Sequence, residues 1–270
     1  MSTQNKGEKG EKAAIAKCLK NSEDVDWCCE IFSELADEGI FLNDPVTNER
    51  ITRVEDIKKA KSTIKADVIL GFKKTDTTQG TSIKYFDKTN PSIINTTTRS
   101  KFVTNPKLKK FVPSFDTLCG KYLNDPVNLA KNKSEVDRPL RVYELAENEK
   151  RDIACGIAYF TFDGTGKGDA SVPASAIIEM YHTDKRIEYT TCSTDEEKIQ
   201  YVLDNWDRYI ISIRGHKMQG NGKLRTNGVP KKGPLPEDMS WVCYYKNDDG
   251  KEYPRGALHV RIKKKIKNKK

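Results

Sequence analysis

The alternation of apolar and polar positions divides the chain into recognisable elements. Near the start, GEKAAIAKCLK (residues 10–20) gathers Ala13, Ala14, Ile15, Cys18 and Leu19 near one helical face. Asn21 or Ser22 then caps a second helix running to Leu35 or Ala36, with Gly39 as its stop. Asn43, Asp44 and Pro45 spell a turn. Ile64 to Phe72 is rich in β-branched and apolar residues and reads as a strand; Thr75 to Gly80 is turn-like, and Thr81 to Phe86 reads as a second strand, giving an antiparallel pair. Helical segments are expected around 91–103 and 114–131, with a longer one from Val142 into the 150s. Thr194 followed by Glu197 makes a capping box before IQYVLDNW, and RYIISIR (Arg208 to Arg214) reads as a buried strand. After a structureless stretch to Gly233, a terminal hairpin is expected from Ser240 to Lys246, through a turn at Asp248 to Gly250, to Ala257 to Ile262. No internal repeat or linker separates domains, so the expectation is one domain over 1–270, with a catalytic core region in 1–135 and a recognition region in 136–270.

Composition narrows the class. The 270 residues carry 48 Lys plus Arg against 39 Asp plus Glu, for a net charge of +9, and are 36% hydrophobic. No apolar run approaches the roughly eighteen residues that cross a bilayer, and Met1 to Lys20 alternates charge where a signal peptide would be apolar, so no membrane role is expected. Seven cysteines, an odd number without a CxxC pair, point to free thiols in a reducing, cytoplasmic setting. The three histidines lie far apart, which gives a His-based metal cluster no local support. From Arg255 to Lys270 there are eight basic residues and no acid, so the excess charge is concentrated in the tail. Such a polybasic end suits a phosphate backbone through counterion release; a solubilising terminus would look the same.

Chemistry centres on the first strand pair. Asp67 sits inside an apolar strand (KADVIL), and the next strand ends in Ser82, Ile83 and Lys84. Alternation brings Asp67 and Lys84 to one face, with Ser82 beside the lysine. Hydrolysis of a phosphodiester needs a divalent cation held by hard oxygens, an in-line water and a cation to orient it, and Asp67 and Lys84 supply the first and last of these. An ordinary edge carboxylate beside a solvated lysine has the same spacing.

The run from Ala66 to Phe102, including YFDKTNPSIINTTTRSKF after Lys84, resembles the catalytic segment of type II restriction endonucleases of the PD-(D/E)xK superfamily, of the MspI-like and HpaII-like short-palindrome kind. Asp67, Ser82, Lys84 and the stretch Pro91 to Phe102 occupy the matching positions. The resemblance implies an α/β (mixed α+β) fold with a central mixed sheet flanked by helices. It also implies a Mg²⁺ cofactor held by Asp67 and the backbone carbonyl of Ile83, with Lys84 orienting the attacking water. The family's second acid is Ser82 here, which brings no charge to a metal. Relatives with a polar residue there recruit a Glu from the N-terminal helix, and GEKGEK (7–12) makes Glu11 the matching residue; a first-turn glutamate favoured by the helix dipole reads the same way. Asp76, in the turn, is the weaker substitute. The resemblance covers some forty residues and hardly touches the C-terminal half.

Two segments are candidate DNA contacts. Asn95, Thr97, Thr98, Arg99 and Lys101 offer short donors of the kind that bind phosphate and sugar oxygens, or else form a polar helix face. Arg214, Lys217, Gln219, Asn221, Lys223, Arg225 and Asn227 lie in a stretch with six Lys or Arg, five Gly and no acid between Arg214 and Gly233. Arg and Lys read guanine and Asn and Gln pair with adenine, so this is the base-reading candidate; a flexible solvated loop is the alternative. DGTGKGD (163–169) fails as a phosphate loop because Thr161 stands where its first glycine belongs, and it reads as a turn. The expected activity is therefore site-specific cleavage of double-stranded DNA at a short palindrome with Mg²⁺, by a monomer or homodimer, leaving 5′-phosphate ends. A companion DNA methyltransferase would protect the cell's own sites. A non-catalytic nucleic-acid-binding protein and a repair or recombination nuclease of the same fold are the alternatives.

Overall fold

The computed structural model describes residues 40–51, 63–130, 136–166, 168–183, 186–214, 241, 243–246 and 252–266. The expected helices before residue 39 lie outside these. Thirteen strands run through the described residues: β1 (Ile40–Asn43), β2 (Val68–Phe72), β3 (Thr77–Phe86), β4 (Ser92–Thr98), β5 (Arg138–Pro139), β6 (Gly164–Thr165), β7 (Gly168–Asp169), β8 (Ala176–Tyr181), β9 (Arg186–Thr191), β10 (Tyr209–Arg214), β11 (Cys243–Lys246), β12 (Glu252–Arg255) and β13 (Ala257–Ile262). The α-helices are α1 (Arg99–Thr104), α2 (Val112–Leu123), α3 (Pro126–Ala130), α4 (Glu147–Ala158) and α5 (Asp195–Asp204). The protein is thus a mixed α and β structure whose larger sheet is itself mixed and flanked by helices.

The chain forms two compact units that interleave along the sequence: the first takes residues 1–91, 158–201 and 264–270, the second 92–157 and 202–263. Their boundaries do not follow the expected 1–135 and 136–270 regions.

The first unit is built on a five-stranded sheet in the order β1-β2-β3-β8-β9. β3 and β8 run parallel, and every other neighbour is antiparallel. The expected hairpin is present: β2 pairs with β3 from Val68↔Thr81 to Phe72↔Thr77, across a turn at 73–76. β3 is longer than expected because its Thr- and Gln-containing start also pairs. One face packs Leu42, Ile51, Val68, Leu70, Ile83, Ile178, Met180 and Ile187 into a core. Asp44 closes the turn after β1, its Oδ1 accepting the Val46 and Thr47 amides at 2.8 and 2.9 Å. The capping box forms as expected: Glu197 Oε2 accepts the Ser193 and Thr194 amides at 2.7 and 2.9 Å, and Thr194 Oγ1 accepts the Glu197 amide at 3.2 Å. These backbone donors, Thr194's first, lower the Glu197 carboxyl below its ordinary range. The DGTGKGD segment is a turn between β6 and β7, paired at Gly164↔Asp169 and Thr165↔Gly168.

The second unit holds an antiparallel sheet, β4-β13-β10-β5. Two sequence expectations change here. Residues 92–98 form a strand and only 99–104 a helix, because the β-branched run SIINTTT finds a partner in β13, some 160 residues on. The terminal hairpin closes earlier than expected: β11 pairs with β12, which frees β13 to sit between β4 and β10. β10 is buried from Tyr209 to Ile213, as its apolar run predicts. α2 places Phe115, Leu118, Cys119 and Tyr122 on its buried side at helical spacing. Phe115 meets Phe102 and Trp241 at 4.8 and 6.4 Å between ring centroids. Gly156 in α4 makes room for that ring, since a Cβ there would lie 2.5 Å from Phe115.

His259, in the middle of β13, is 5% exposed; its Nε2 lies 2.9 Å from the Ser92 hydroxyl. Burial, helped by the Arg214 charge, pushes it down to about 4. The unfolded chain therefore takes up the proton first as pH falls, near the ordinary 6.5. Stability supplied by the neutral ring is complete above pH 6.5 and lost on the way down to about 4, at roughly 1.4 kcal/mol per pH unit of separation, so about 3–4 kcal/mol in all. Urea unfolding at stepped pH should show this loss, and His259→Gln should flatten it; an equal slope in both proteins would assign the loss to other groups.

Candidate functional site

The site arises where β2 ends. Before Val68 the chain leaves β3 and turns toward residue 172: the Lys65 and Ala66 amides donate to the Val172 carbonyl at 3.0 and 3.1 Å, and Ile64 bridges Val172. The Asp67 amide donates to the Thr81 carbonyl at 2.9 Å, although Thr81 is already the register partner of Val68. Ile83, two residues past Thr81, points its backbone polar groups toward the same side, where β2 no longer runs. Asp67 takes the vacated place. Its Oδ2 accepts the Ile83 amide at 2.6 Å and the Ser82 hydroxyl at 3.2 Å. The side chain thus replaces a ladder hydrogen bond, leaving Oδ1 without a hydrogen bond among the described residues and the Ile83 carbonyl without a β2 partner.

Lys84 completes the group. It is 9% exposed, and its Nζ donates to the Ser82 hydroxyl at 2.7 Å, with the Ile83 carbonyl at 3.5 Å. Ser82, fully buried, is the hinge of the arrangement: it accepts from Lys84 and donates to Asp67. The expected convergence of Asp67, Ser82, the Ile83 backbone and Lys84 is present, with the Ser82 and Lys84 side chains on the sheet face opposite the aliphatic core that holds the Ile83 side chain. Lys84 is buried where the spacing alone allowed a solvated lysine. Its burial is offset by two oxygen acceptors, the Ser82 hydroxyl and the Ile83 carbonyl.

The register extends this row across the sheet. In the parallel pairing Lys84 stands opposite Glu179, and Ser82 opposite Ile177. Glu179 is 3% exposed, and its carboxylate accepts hydrogen bonds from the Tyr201 hydroxyl at 2.8 Å and from the Tyr181 hydroxyl. Beyond it Phe86 stacks on Tyr181 at 4.9 Å. Sequence reasoning passed over Glu179; the signal was a single carboxylate inside the apolar run AIIEMY.

The remaining candidates fall differently. Glu11, Lys217, Gln219, Asn221, Lys223, Arg225 and Asn227 lie outside the described residues. Among the described residues no three His, Cys, Asp or Glu side chains gather to hold a metal. Asn95, Thr97, Thr98, Arg99 and Lys101 belong to the second unit. Thr97 is 3% exposed, buried beneath the sheet surface, which corrects its assignment as a surface donor. The Arg99 guanidinium is committed to Asp116, through Nε at 2.6 Å and Nη2 at 2.5 Å, and Trp241 donates to the same carboxylate at 2.8 Å. The Asp116 hydrogen bond raises the guanidinium above its ordinary value. Asn95 and Lys101 are exposed; the Thr98 hydroxyl is 2.9 Å from that of Ser100. Thr96 has φ +52°, unusual for a β-branched residue, at the register shift between β4 and β13. Arg214 ends β10 with Nε 3.2 Å from the Ser212 hydroxyl and Nη2 3.9 Å from Asp137. No helix of the described residues is long and apolar enough to cross a membrane.

Comparison with protein-family models, with curated proteins and with solved structures yields no match to this chain.

Proposed function

We propose that the chain is a Mg²⁺-dependent endonuclease of double-stranded DNA, resembling type II restriction enzymes, that cuts at a short site and leaves 5′-phosphate and 3′-hydroxyl ends. One observation carries this reading: the Asp67 carboxylate, the Ile83 carbonyl and the Lys84 amine meet around Ser82 at the point where β2 leaves β3.

The donor set fits the metal. Mg²⁺ is commonly held by one or two carboxylates, with waters and substrate phosphate oxygens completing its octahedron, and Asp67 Oδ1 and the Ile83 carbonyl are two hard oxygens on one strand edge. When bound there, the ion neutralises phosphate charge and lowers the proton affinity of a bound water. Asp67 and the Ile83 carbonyl would hold the cation, with Glu11 as a further carboxylate. Lys84 donates toward the attacking water and the non-bridging phosphate oxygens, where negative charge grows. Ser82 keeps Asp67 and Lys84 in register. The water oxygen bonds to phosphorus and gives up a proton to solvent, the P–O3′ bond breaks, and the departing 3′ oxygen takes up a proton from solvent, so the proton count is unchanged. A cytoplasmic location and a companion methyltransferase belong to the same reading. The basic tail and the Arg214 to Gly233 stretch supply phosphate and base contacts.

The full-length protein, incubated with supercoiled plasmid and Mg²⁺, is expected to give discrete fragments with ligatable 5′-phosphate ends. Binding without scission would replace this reading with a non-catalytic nucleic-acid-binding protein. Nicking that depends on junctions or mismatches would replace it with a repair nuclease.

A further inference from the structure

The connection between α1 and α2 carries charge that the fold does not use. From Arg99 to Phe115 the chain holds five basic residues and no acid. One of the five is spent, because the Arg99 guanidinium pairs with Asp116. The other four are Lys101, on α1, and Lys107, Lys109 and Lys110, in the connection and its closing 3₁₀ turn (Lys109–Phe111). All four are exposed, and among the described residues no carboxylate pairs with any of them.

The backbone that carries these lysines is fixed from within. Leu108 is fully buried and Phe111 is 8% exposed; they stand three residues apart, and Lys107 and Lys110, at the same spacing, are left outside. Asn105 is buried and holds the chain: its Oδ1 accepts the Lys107 amide at 2.9 Å, and its carbonyl accepts the Leu108 and Lys109 amides at 3.0 and 2.9 Å. The Phe111 amide closes the turn on the Leu108 carbonyl at 2.9 Å. Lys110 lays its amine over the Phe111 ring, 4.9 Å from the centroid. On α1, Phe102 packs against Phe115 and Trp241 at 4.8 and 5.1 Å while Lys101 stays exposed. Four positive charges are thus carried by ordered backbone, where they repel one another and gain no ion pair from the fold.

The chemistry of this surface selects its partner. An ammonium is a strongly hydrated point charge, suited to phosphate and lacking the planar fork of a guanidinium. The exposed residues between the lysines are Ser100, Val103, Thr104 and Pro106, which include no aromatic or long aliphatic side chain to enter a bilayer or anchor a protein interface. The two residues of the segment able to read base edges, Asn105 and Arg99, are occupied within the protein. We infer that the α1–α2 connection is a docking surface for the phosphate backbone of duplex DNA, adding affinity by counterion release without reading sequence. The choice of duplex DNA rests on the nuclease reading, to which this surface adds a phosphate contact carried by residues other than Asp67 and Lys84.

The test uses the full-length protein and two duplexes of about 30 base pairs, one A·T-rich and one G·C-rich, with Ca²⁺ in place of Mg²⁺. Binding is followed by fluorescence anisotropy over a series of NaCl concentrations. Each lysine that meets a phosphate adds about 0.9 to the steepness of log K against log salt. Combining Lys107→Gln, Lys109→Gln and Lys110→Gln should therefore flatten the slope by about 2–3 and weaken binding roughly 100-fold at ~0.1 M salt, equally for both duplexes. Combining Lys107→Arg, Lys109→Arg and Lys110→Arg keeps the charge and should restore the slope. The urea midpoint should not move, since all three side chains are exposed. Should the triple variant fail to fold, Lys109→Gln alone takes its place, with a slope change of about 0.9 expected. An unchanged slope, a loss confined to one duplex, or an unaltered protein that binds neither duplex would overturn the inference. So would a triple variant that keeps its duplex affinity and loses binding to phosphatidylserine vesicles, which would make the surface a membrane contact. Plasmid cleavage in Mg²⁺ by the unaltered protein judges the nuclease reading separately. Cleavage with no flattening in the variant would remove the surface alone, and flattening in a protein that cuts nothing would remove the nuclease alone.

Discussion

Replacing Lys84 by alanine is expected to lower the turnover of Mg²⁺-dependent plasmid cleavage by about 10²- to 10³-fold while duplex binding in Ca²⁺ is retained, the loss typical of removing one donor from developing transition-state charge. The amine reaches Ser82 Oγ at 2.7 Å and lies 3.5 Å from the Ile83 carbonyl, beside the atoms proposed to hold the cation. It takes no part in the strand ladders, so its loss leaves β3 paired on both sides. Asp67→Ala should match it in turnover for a different reason: it removes the carboxylate and also uncovers the Ile83 amide that the carboxylate caps at 2.6 Å. A modest loss of stability should accompany Asp67→Ala, about 1–3 kcal/mol for one buried donor left unmade. Single-turnover cleavage alongside urea unfolding separates the two effects. Full activity in either variant would place the catalytic centre elsewhere in the chain.

Phe115→Ala is expected to be the most damaging simple truncation, costing about 3–5 kcal/mol. The ring is fully buried, contacts Phe102 and Trp241, and fills the space that Gly156 leaves open. That glycine prevents easy repair, because with the ring gone its bare backbone faces the cavity. The urea midpoint should fall by roughly 1–2 M at an ordinary denaturant dependence. A change below about 1 kcal/mol would show that the neighbouring rings collapse into the gap.

Legibility of the fold followed the range of the interactions. The β2 to β3 hairpin, the Asp44 turn, the Thr194–Glu197 capping box and the buried β10 strand rest on residues close in sequence, and each forms as the pattern implies, although β2 starts only at Val68 and the hairpin turn lies at 73–76 where 75–80 is expected. The sequence places the β4 residues in a helical segment over 91–103. Its strand character comes from β13, a partner that local propensity does not reveal. The terminal hairpin failed for a related reason: β12, interrupted by Pro254, had no strand signature, yet it supplies the partner of β11. In the candidate site, Asp67, Ser82 and Lys84 were legible because alternation on two adjoining strands is enough to align them. Glu179 was not, since its place beside Lys84 depends on a parallel pairing between residues nearly a hundred positions apart. For Thr97 and Arg99 residue type reports the capacity to bind phosphate, whereas the burial of Thr97 and the Asp116 ion pair of Arg99 come from partners that local sequence does not reveal.

The parallel seam between β3 and β8 carries a consequence for how the molecule is made. By the time a ribosome has released β3, the strand destined to lie against it is still ninety residues from being synthesised, and everything from Ser92 to Ile157 must emerge first. Through that interval Ser82 and Lys84 occupy an open edge whose amides and carbonyls could join any passing strand. On such a naked β edge the charge of Lys84 opposes the addition of a further strand.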